Sequence, residues 1–363
     1  MPREVLAAPQ HLYFLFALMK IITVLKSKRY LLTYIRLLLV AGALAPAFSA
    51  KADPITDLRS LSAFKDADLS KLAAGNISAA PIPNMQVARD MSVQTAYVVR
   101  APVKTTVSRL QEWDPARHPE LRIYLQGNLP GRTSSTNFQS LASVPLTSSI
   151  RAFVAATQKL PGYSSGLKYT SDESSGRGMP GSVVSFWSQV LSQRVNSFVS
   201  GGLGAVPSYP TAGANISPAT EVNQLIESSG NARSYFSPMI SATPAGGGRG
   251  SLTPSLSWQL FDADGEAVVS LDAFYARPVG DGYQTVDIGY YASGRYYAVV
   301  TLQQLWPVQV DGRDATLIWR VDLVSSPAYS GLRGVDRLGS GAATMRQIQQ
   351  NIRAFLSDTR SGT

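Results

Sequence analysis

The feature that most constrains the fold is an alternation of apolar and polar residues across 255–325, interrupted by turn dipeptides. Leu256 and Trp258 alternate with polar residues before Asp264-Gly265, and a similar pattern resumes after that pair. Successive side chains of a strand point to opposite faces, and Asp-Gly is a favoured hairpin turn. The sequence therefore predicts an antiparallel meander with one buried face. Two further pairs mark its later turns: Ser293-Gly294 and Asp311-Gly312.

A long helix is predicted to follow the meander. Met345, Ile348, Ile352 and Phe355 recur at helical spacing, and the residues between them are mostly polar. An apolar stripe of this kind has to pack on an apolar surface, and the sheet is the available partner. The carboxyl-terminal part of the chain is therefore predicted to be a sheet covered by one helix.

The region before the meander alternates between strand and helix patterns. Residues 53–86 form an amino-terminal arm, and strands are predicted at 91–99 and 121–130 with a short helix between them. Residues 131–250 form a helical insertion. Its helices are predicted to begin at Ser148 or Ser149, at Ser182 and at Ser217, which precedes a proline. The fold class is therefore α+β, with one domain over 87–363.

The first 52 residues have the composition of a targeting segment. Basic residues precede an apolar run at 37–45, and Ala50-Lys51-Ala52 is a small-x-small cleavage site. Met19 gives a more usual signal length than Met1, so both starts remain open. An uncleaved anchor is the alternative, because residues 30–50 reach the length of a membrane span.

Charge and cysteine content exclude several classes of protein. The chain has 33 Lys and Arg against 24 Asp and Glu, and the first 52 residues hold seven and one of these, which leaves 26 against 23. The remainder has no basic cluster interleaved with aromatic residues, so nucleic-acid binding is not expected. The chain has no cysteine. This excludes disulfides, thiol catalysis and cysteine-ligated zinc, and fits an exported bacterial protein.

Ser164 is one of two candidate catalytic residues. "GYSSG" at 162–166 matches the G-x-S-x-G pattern of many serine hydrolases. That pattern needs a strand before the serine, a helix after it and a histidine within reach. Here a predicted helix and Pro161 precede Ser164, so an ordinary loop serine is the favoured interpretation.

His118 is the second catalytic candidate. It is the one histidine that follows residue 52, and "WDPARHPEL" at 113–121 places Asp114 and Glu120 near it. A carboxylate beside an imidazole can form a general base, although local pairing of solvated charges explains the segment as well. One histidine cannot build a multi-histidine metal site, and no metal or other cofactor is predicted.

Aromatic residues concentrate in the meander and are the candidate ligand-binding residues. Aromatic side chains are typical of a sheet core, but tyrosines at adjacent positions of one strand suggest that both faces carry them. A cavity between sheet and helix would satisfy that arrangement. Asp272 and Asp287 alternate with apolar positions and are therefore expected on the solvent face. The candidates are Trp258, Tyr275, Tyr290, Tyr297 and Trp319.

The order of predicted elements resembles the START-like superfamily, also called the helix-grip or SRPBCC type. The resemblance lies in "QTAYVVRAPVKTTVSRLQEWD" at 94–114, similar to a first strand and helix, and in two segments near the end. These are "ATLIWRVDLVSSPAYSGLRG" from residue 315 and "MRQIQQNIRAFL" ending at 356, similar to a last strand, loop and terminal helix. The arm and the helical insertion depart from the pattern. The resemblance implies a curved antiparallel sheet wrapped on a long terminal helix, with a pocket for an apolar ligand between them.

The sequence thus favours an exported protein of the bacterial periplasm or exterior that binds or transfers a hydrophobic small molecule or lipid. Contact with a membrane is expected through export or lipid exchange. An exported hydrolase that uses Ser164 or His118 is one alternative. A structural envelope protein whose Gly- and Ser-rich loops engage partners is the other. A non-enzymatic role is favoured over catalysis, and the oligomeric state is left open.

Overall fold

An eight-stranded antiparallel sheet is the centre of the fold. The computed structural model describes residues 53–82, 85–160, 178–211 and 214–361. The strands of this sheet follow the order β1-β2-β10-β9-β8-β7-β6-β3. β4 and β5 pair separately as a two-stranded ribbon. The strands are β1 Ser78–Pro81, β2 Asp90–Val99, β3 Ile123–Leu129, β4 Tyr209–Thr211, β5 Ala214–Ile216, β6 Ser255–Ala263, β7 Glu266–Val279, β8 Gly282–Ala292, β9 Ala298–Val310 and β10 Arg313–Ser325.

The predicted meander is confirmed as β6 to β10, in which each strand pairs with the next. Asp264 and Gly265 have φ angles of 53° and 87°, and Asp311 and Gly312 have 52° and 70°. Two consecutive residues with positive φ are characteristic of the two-residue turn that suits twisted strands. The two Asp-Gly pairs therefore set the register of the β6–β7 and β9–β10 hairpins.

Eight helices surround the sheet in the described part of the chain. Thr147 caps α4 by accepting a hydrogen bond from the Ile150 amide, and Ser217 caps α6 in the same way. The helices are α1 Pro54–Leu61, α2 Leu69–Ala73, α3 Val103–Glu112, α4 Ser148–Thr157, α5 Gly181–Gly201, α6 Pro218–Glu227, α7 Asn231–Ser241 and α8 Gly334–Ser361.

One face of the sheet packs against the helices that lie between β3 and β6. Trp258 meets Phe138 with ring centroids 5.4 Å apart, Tyr290 stacks on Phe198 of α5 at 4.1 Å, and Trp319 meets Phe236 of α7 at 5.5 Å. These side chains belong to the largest apolar core of the described residues. The helices α4 to α7 thus form a layer on this face.

The other face is covered by α3 and α8. Leu305 and Ile318 are fully buried there against Ile352 and Phe355 of α8. The sheet is therefore the middle layer of three, and the expectation of one buried face is wrong. Polar residues that alternate with the larger core, such as Thr301 and Asp322, therefore lie beneath α8 instead of in solvent.

Besides the β4–β5 ribbon, two further elements were not predicted. β1 belongs to the predicted arm and pairs with β2, although it ends at Pro81. Proline has no amide proton for the ladder, which fits its position at the end of an edge strand. α7 contains Pro238 within the helix, and proline in a helix interior normally indicates a break. In both segments the proline is a local signal against the element that forms.

Residues Asp53–Thr363 form one compact unit. Among the helices of the described residues, none combines the length and the apolar character that crossing a membrane requires. The predicted cleavage site and the alternative anchor at 30–50 lie outside the described residues.

Candidate functional site

A cavity of about 370 Å³ lies between the sheet and the amino-terminal half of α8. Its floor is formed by β6 to β10 and its roof by α8. Ala343 and Gln347 of the roof and Asp264 at the edge are exposed, so the cavity opens to solvent along α8.

The sequence of α8 explains why a space is left. The carboxyl-terminal half has Ile352 and Phe355, which reach the sheet and are buried. The amino-terminal half has the segment 339–343, which reads Gly-Ser-Gly-Ala-Ala. Small side chains cannot fill the distance between a helix and a sheet that large ones fill elsewhere along the same helix. The change from small to large residues therefore makes one half a roof and the other half a packed contact.

Arg337 and Thr344 fasten the amino-terminal half of α8. The guanidinium of Arg337 donates to the Asp90 carbonyl oxygen at 2.7 Å. The Thr344 hydroxyl lies 3.0 Å from the Tyr329 hydroxyl at the cavity wall. The amino-terminal half of α8 is thus attached through hydrogen bonds, whereas its carboxyl-terminal half is attached through apolar packing.

A row of polar residues crosses the cavity floor. Asp287, Thr301 and Asp322 are register partners on the adjacent strands β8, β9 and β10. Asp272 of β7 lies opposite Gly289 of β8, two residues along from Asp287. Side chains two residues apart on a strand share a face, so these groups all lie on the cavity side of the sheet.

Asp322 is the neutralised member of this row. The Nε of Arg320 donates to its Oδ2 at 2.8 Å, and Nη2 donates to its Oδ1 at 2.6 Å. The Thr301 hydroxyl donates to Oδ1 at 2.8 Å. A bidentate contact with guanidinium is among the strongest ion pairs in proteins. Asp322 and Arg320 therefore compensate each other's charge.

Asp272 and Asp287 have no such partner among the described residues. The Ser270 hydroxyl donates to Asp272 Oδ2 at 2.8 Å, whereas Asp287 Oδ1 has no hydrogen-bond partner in the described structure. Burial, and then the charge of Asp287, raises the pKa of Asp272. Burial is also the largest cause of the raised pKa of Asp287, which nearby Arg320 partly opposes. These two carboxyls accept protons more readily than ordinary aspartates do.

Gly289 makes room for the Asp272 carboxyl. A Cβ atom at this position would lie 3.1 Å from Asp272 Oδ1 and 3.3 Å from the Cβ of Val299. Both separations are tighter than ordinary contacts between such atoms. The absence of a side chain at 289 therefore lets the carboxyl lie against the floor of the cavity.

The next row of the same face has further polar atoms without partners. Thr285 of β8 and Gln303 of β9 each lie two residues from a member of the row, Asp287 and Thr301. Thr95 of β2 lies two residues from Val93, which is the register partner of Asp322. All three side chains are buried, and within the described residues the hydroxyls of both threonines and the Oε1 of Gln303 find no partner. Buried polar groups normally have a partner, so this cluster marks a place where one is expected.

The upper wall of the cavity is apolar. Val324 and Tyr329 are buried, and Phe261, Tyr296 and Val299 are half-buried. An apolar wall with a few convergent polar groups is the usual composition of a small-molecule site. The cavity can therefore take a molecule with an apolar body and a polar end.

The predicted aromatic site residues lie elsewhere. Trp258, Tyr275, Tyr290 and Trp319 belong to the core under the layer of α4 to α7, on the opposite face of the sheet from the cavity. Tyr297 contacts Tyr209 with ring centroids 5.6 Å apart. The structure brings none of these five side chains into the cavity lining of the described chain. Ligand binding by them stays a prediction.

A β-bulge accounts for the adjacent tyrosines of β8. The register between β7 and β8 shifts between Leu271 and Asp272. Tyr290 then stacks on Phe198, and Tyr291 lies under the guanidinium of Arg194 at 4.1 Å, so both rings meet the same layer of helices. The interpretation that the two tyrosines occupy both faces is therefore wrong, because a bulge changes the alternation of side chains.

The expected positions of Asp272 and Asp287 were also wrong. Both were expected in solvent because they alternate with core residues, but α8 covers that face. A sequence signal for the site does exist. The hairpin turns align Asp287, Thr301 and Asp322 on adjacent strands of the meander. A polar row of this kind, once it lies on a covered face, points to function.

His118 holds the end of α8 and does not line the cavity. Its Nε2 lies 3.0 Å from Asp358 Oδ2, and its Nδ1 lies 3.2 Å from Glu120 Oε1. The Trp113 indole also donates to Asp358 Oδ2, at 3.0 Å. The hydrogen bond to Asp358 raises the pKa of His118. With both ring nitrogens facing carboxylates, the imidazolium form is favoured and neither nitrogen is available as a general base. Ser164 lies outside the described residues.

A second cleft, of about 440 Å³, lies beside α6 and α7. Its charged lining residues, Glu227 and Arg233, are exposed. Exposed charges of opposite sign are ordinary surface features, so the cavity under α8 is the stronger candidate. Within the described residues, no group of three or more His, Asp and Glu side chains could hold a metal ion.

Comparisons with known proteins give no assignment, since neither a protein-family model nor a curated protein sequence matches the chain.

Proposed function

We propose that this protein binds or transfers a hydrophobic small molecule or lipid that carries a polar group. The observation that carries the proposal is the cavity of about 370 Å³ between the sheet and α8, with its apolar wall and the carboxyls of Asp272 and Asp322 on its floor. The apolar part of the ligand would lie against Phe261, Val324 and Tyr329, and the polar group would reach Asp272. Removal of apolar surface from water would supply most of the affinity, and the buried polar groups would select the head.

The proposal includes the START-like, helix-grip arrangement. It is supported by the position of α8 across the face of an open antiparallel sheet and by the cavity beneath its amino-terminal half. The layer of α4 to α7 on the opposite face is an addition to that arrangement. No catalytic group is part of the proposal, because His118 is engaged with two carboxylates.

The proposed location is the bacterial periplasm or the exterior of the cell. The support for this is the basic and apolar segment that precedes Asp53 in the sequence, together with the absence of cysteine. Lipid exchange with a membrane would be consistent with both the ligand class and the location.

Native mass spectrometry of the full chain, purified without detergent, tests the binding proposal. We expect a co-purifying small molecule that is released by organic solvent. Ala343→Trp would place a large side chain at the roof of the cavity and should abolish this molecule. Leu338→Trp on the exposed part of the same helix is the matched control and should keep it. Retention of the molecule in Ala343→Trp would contradict the assignment of the cavity.

A further inference from the structure

Acidic residues outnumber basic residues in the cavity lining. Asp262, Asp264, Asp272 and Asp322 line it, and Arg320 is the one basic residue of that lining within the described structure. The residues that α8 contributes are uncharged, with Ser340, Thr344, Gln347 and Asn351 as its polar members. No charge on the roof therefore offsets the acids of the floor.

Arg320 is engaged with Asp322. Its Nε and Nη2 both donate to this carboxylate, so the one basic residue of the lining is paired with one of the acids. At the rim, Asp262 accepts a hydrogen bond from the Gly265 amide at 2.7 Å and lies 3.8 Å from Arg122. Asp272 is then the acid inside the cavity that has no basic partner among the described residues, and Asp287 lies on the same sheet face outside the lining.

The unpartnered atoms beside these two carboxyls are mainly acceptors. Asp287 Oδ1 and Gln303 Oε1 accept hydrogen bonds and cannot donate them in their ordinary forms, and within the described chain neither has a donor. The hydroxyls of Thr95 and Thr285 can act in either role. Gln303 is more than nine-tenths buried, and its strand neighbour Thr301 lies on the cavity floor. Gln303, Asp287 and the two threonines are not among the lining residues, so these acceptors lie behind the cavity floor and not on its surface.

We infer that the polar group of the ligand is an ammonium, so that the ligand class is an amphipathic organic amine. This inference rests on the proposed function. An ammonium supplies three donors and one positive charge, which matches the Asp272 carboxyl and the excess of acidic over basic residues in the cavity lining. The apolar wall would hold the remainder of the molecule.

Three probes of one chain length separate the inference from the function on which it rests. Octylamine, octanol and octanoate have matched apolar parts and carry a cationic, a neutral and an anionic head. Isothermal titration calorimetry with the full chain at pH 7 should give octylamine at least about tenfold tighter binding than either other probe, since one charged hydrogen bond is worth about that factor.

Variants then assign the selectivity to residues. Asp272→Asn should weaken octylamine binding by about tenfold and leave octanol binding within about twofold. Asp66→Asn, at an exposed position outside the cavity lining, is the matched control and should leave both unchanged. Thermal unfolding of each variant checks that the fold is retained, and Asp287→Asn provides a second variant of the same pair if Asp272→Asn does not fold.

The outcomes are distinguishable. If octanol or octanoate binds as tightly as octylamine, the ammonium inference is overturned and the binding function stands. An equal loss in Asp66→Asn and Asp272→Asn would also overturn it, because a general negative potential would then explain the preference. If none of the probes binds and no molecule co-purifies, the proposed function fails as well.

Discussion

At the scale of single residues, the cavity is defined by how each aspartate is compensated. Asp322 accepts three close hydrogen bonds from Arg320 and Thr301, whereas Asp272 accepts one from a serine hydroxyl. A buried carboxylate without a cation is unfavourable, so the proton is retained to a higher pH than in water. The same sheet face thus holds one carboxylate that is bound by a guanidinium and two carboxyls that are not.

Asp272→Asn should make the protein more stable at alkaline pH. The pKa of Asp272 is raised in the folded state, so the folded protein binds a proton that the unfolded chain loses, and stability falls as pH rises from about 4 through the raised pKa. Asparagine is uncharged, so the variant does not lose stability in this way as pH rises. We expect the ligand-free variant to exceed the wild type by about 1 kcal/mol or more in the free energy of unfolding at pH 8.

Urea unfolding at several pH values measures this difference. Asp66→Asn, at an exposed position, is the control and should follow the wild-type pH dependence. A wild-type curve that does not fall between pH 4 and pH 8 relative to Asp272→Asn would contradict the burial of an uncompensated carboxyl.

His118 should have the opposite role, as a residue whose charge stabilises the fold. Its pKa is raised by the hydrogen bond to Asp358, so its contribution is fully present below the unfolded pKa of about 6.5 and is lost as pH rises through the higher folded pKa. His118→Gln should lower the free energy of unfolding by up to about 1 kcal/mol at pH 5.5, with a smaller effect at pH 9. An NMR titration of the imidazole gives the pKa directly. A value below 6.5 would contradict the arrangement.

At the scale of elements, α8 is one helix with two functions. Its carboxyl-terminal half packs Ile352 and Phe355 onto the sheet, and Trp113 meets Phe355 edge to face at 5.5 Å. Its amino-terminal half exposes Val335 and Leu338 and covers the cavity. Stability therefore depends on one half, and access to the cavity depends on the other.

Alanine substitutions along α8 should show this division. Ile352→Ala deletes a fully packed side chain and should lower the free energy of unfolding by about 2–5 kcal/mol. Leu338→Ala removes an exposed side chain and should change it by less than about 0.5 kcal/mol. Denaturant titrations of both variants make the comparison. Equal effects would mean that the amino-terminal half is packed as tightly as the other.

At the scale of the whole molecule, a buried ion pair joins the layers. Glu221 of α6 is 1% exposed and accepts hydrogen bonds from Arg89 Nε at 2.9 Å and Nη2 at 2.8 Å. The hydroxyl of Ser325, at the end of β10, donates to the same carboxylate at 2.6 Å. One carboxylate thus connects the segment before β2, the sheet and the helical layer.

Glu221→Gln should destabilise the protein strongly. The variant removes the negative partner of Arg89, whose side chain is 27% exposed and also donates to Gln224, at a cost of about 2 kcal/mol. Glu266→Gln is the matched control, because Glu266 pairs with Arg295 but is mostly exposed, and it should cost less than about 1 kcal/mol. Thermal unfolding followed by circular dichroism measures both. A similar, small effect of the two substitutions would contradict the role of Glu221 in joining the layers.

Much of the fold could be predicted from the sequence, because its strongest signals are local. The Asp-Gly turns, the alternation of β6 to β10 and the stripe of α8 each depend on residues close together in the chain. The predictions failed where contacts between distant segments decide the outcome. Pro238 is tolerated in α7 because that helix is packed on the sheet through Phe236, and β1 forms because β2 offers a free edge.

The candidate site was the part that local patterns placed least well. The sequence by itself determined that this chain forms an antiparallel meander followed by an amphipathic helix, since side-chain periodicity and turn chemistry are properties of neighbouring residues. The tertiary structure alone decided that both faces of the sheet are covered. It also decided that Asp272 and Asp287 lie beneath α8 and that the predicted aromatic residues lie on the opposite face. The physical reason is that alternation separates two faces of a strand, but only the packing of distant helices determines which face meets a core, a cavity or water.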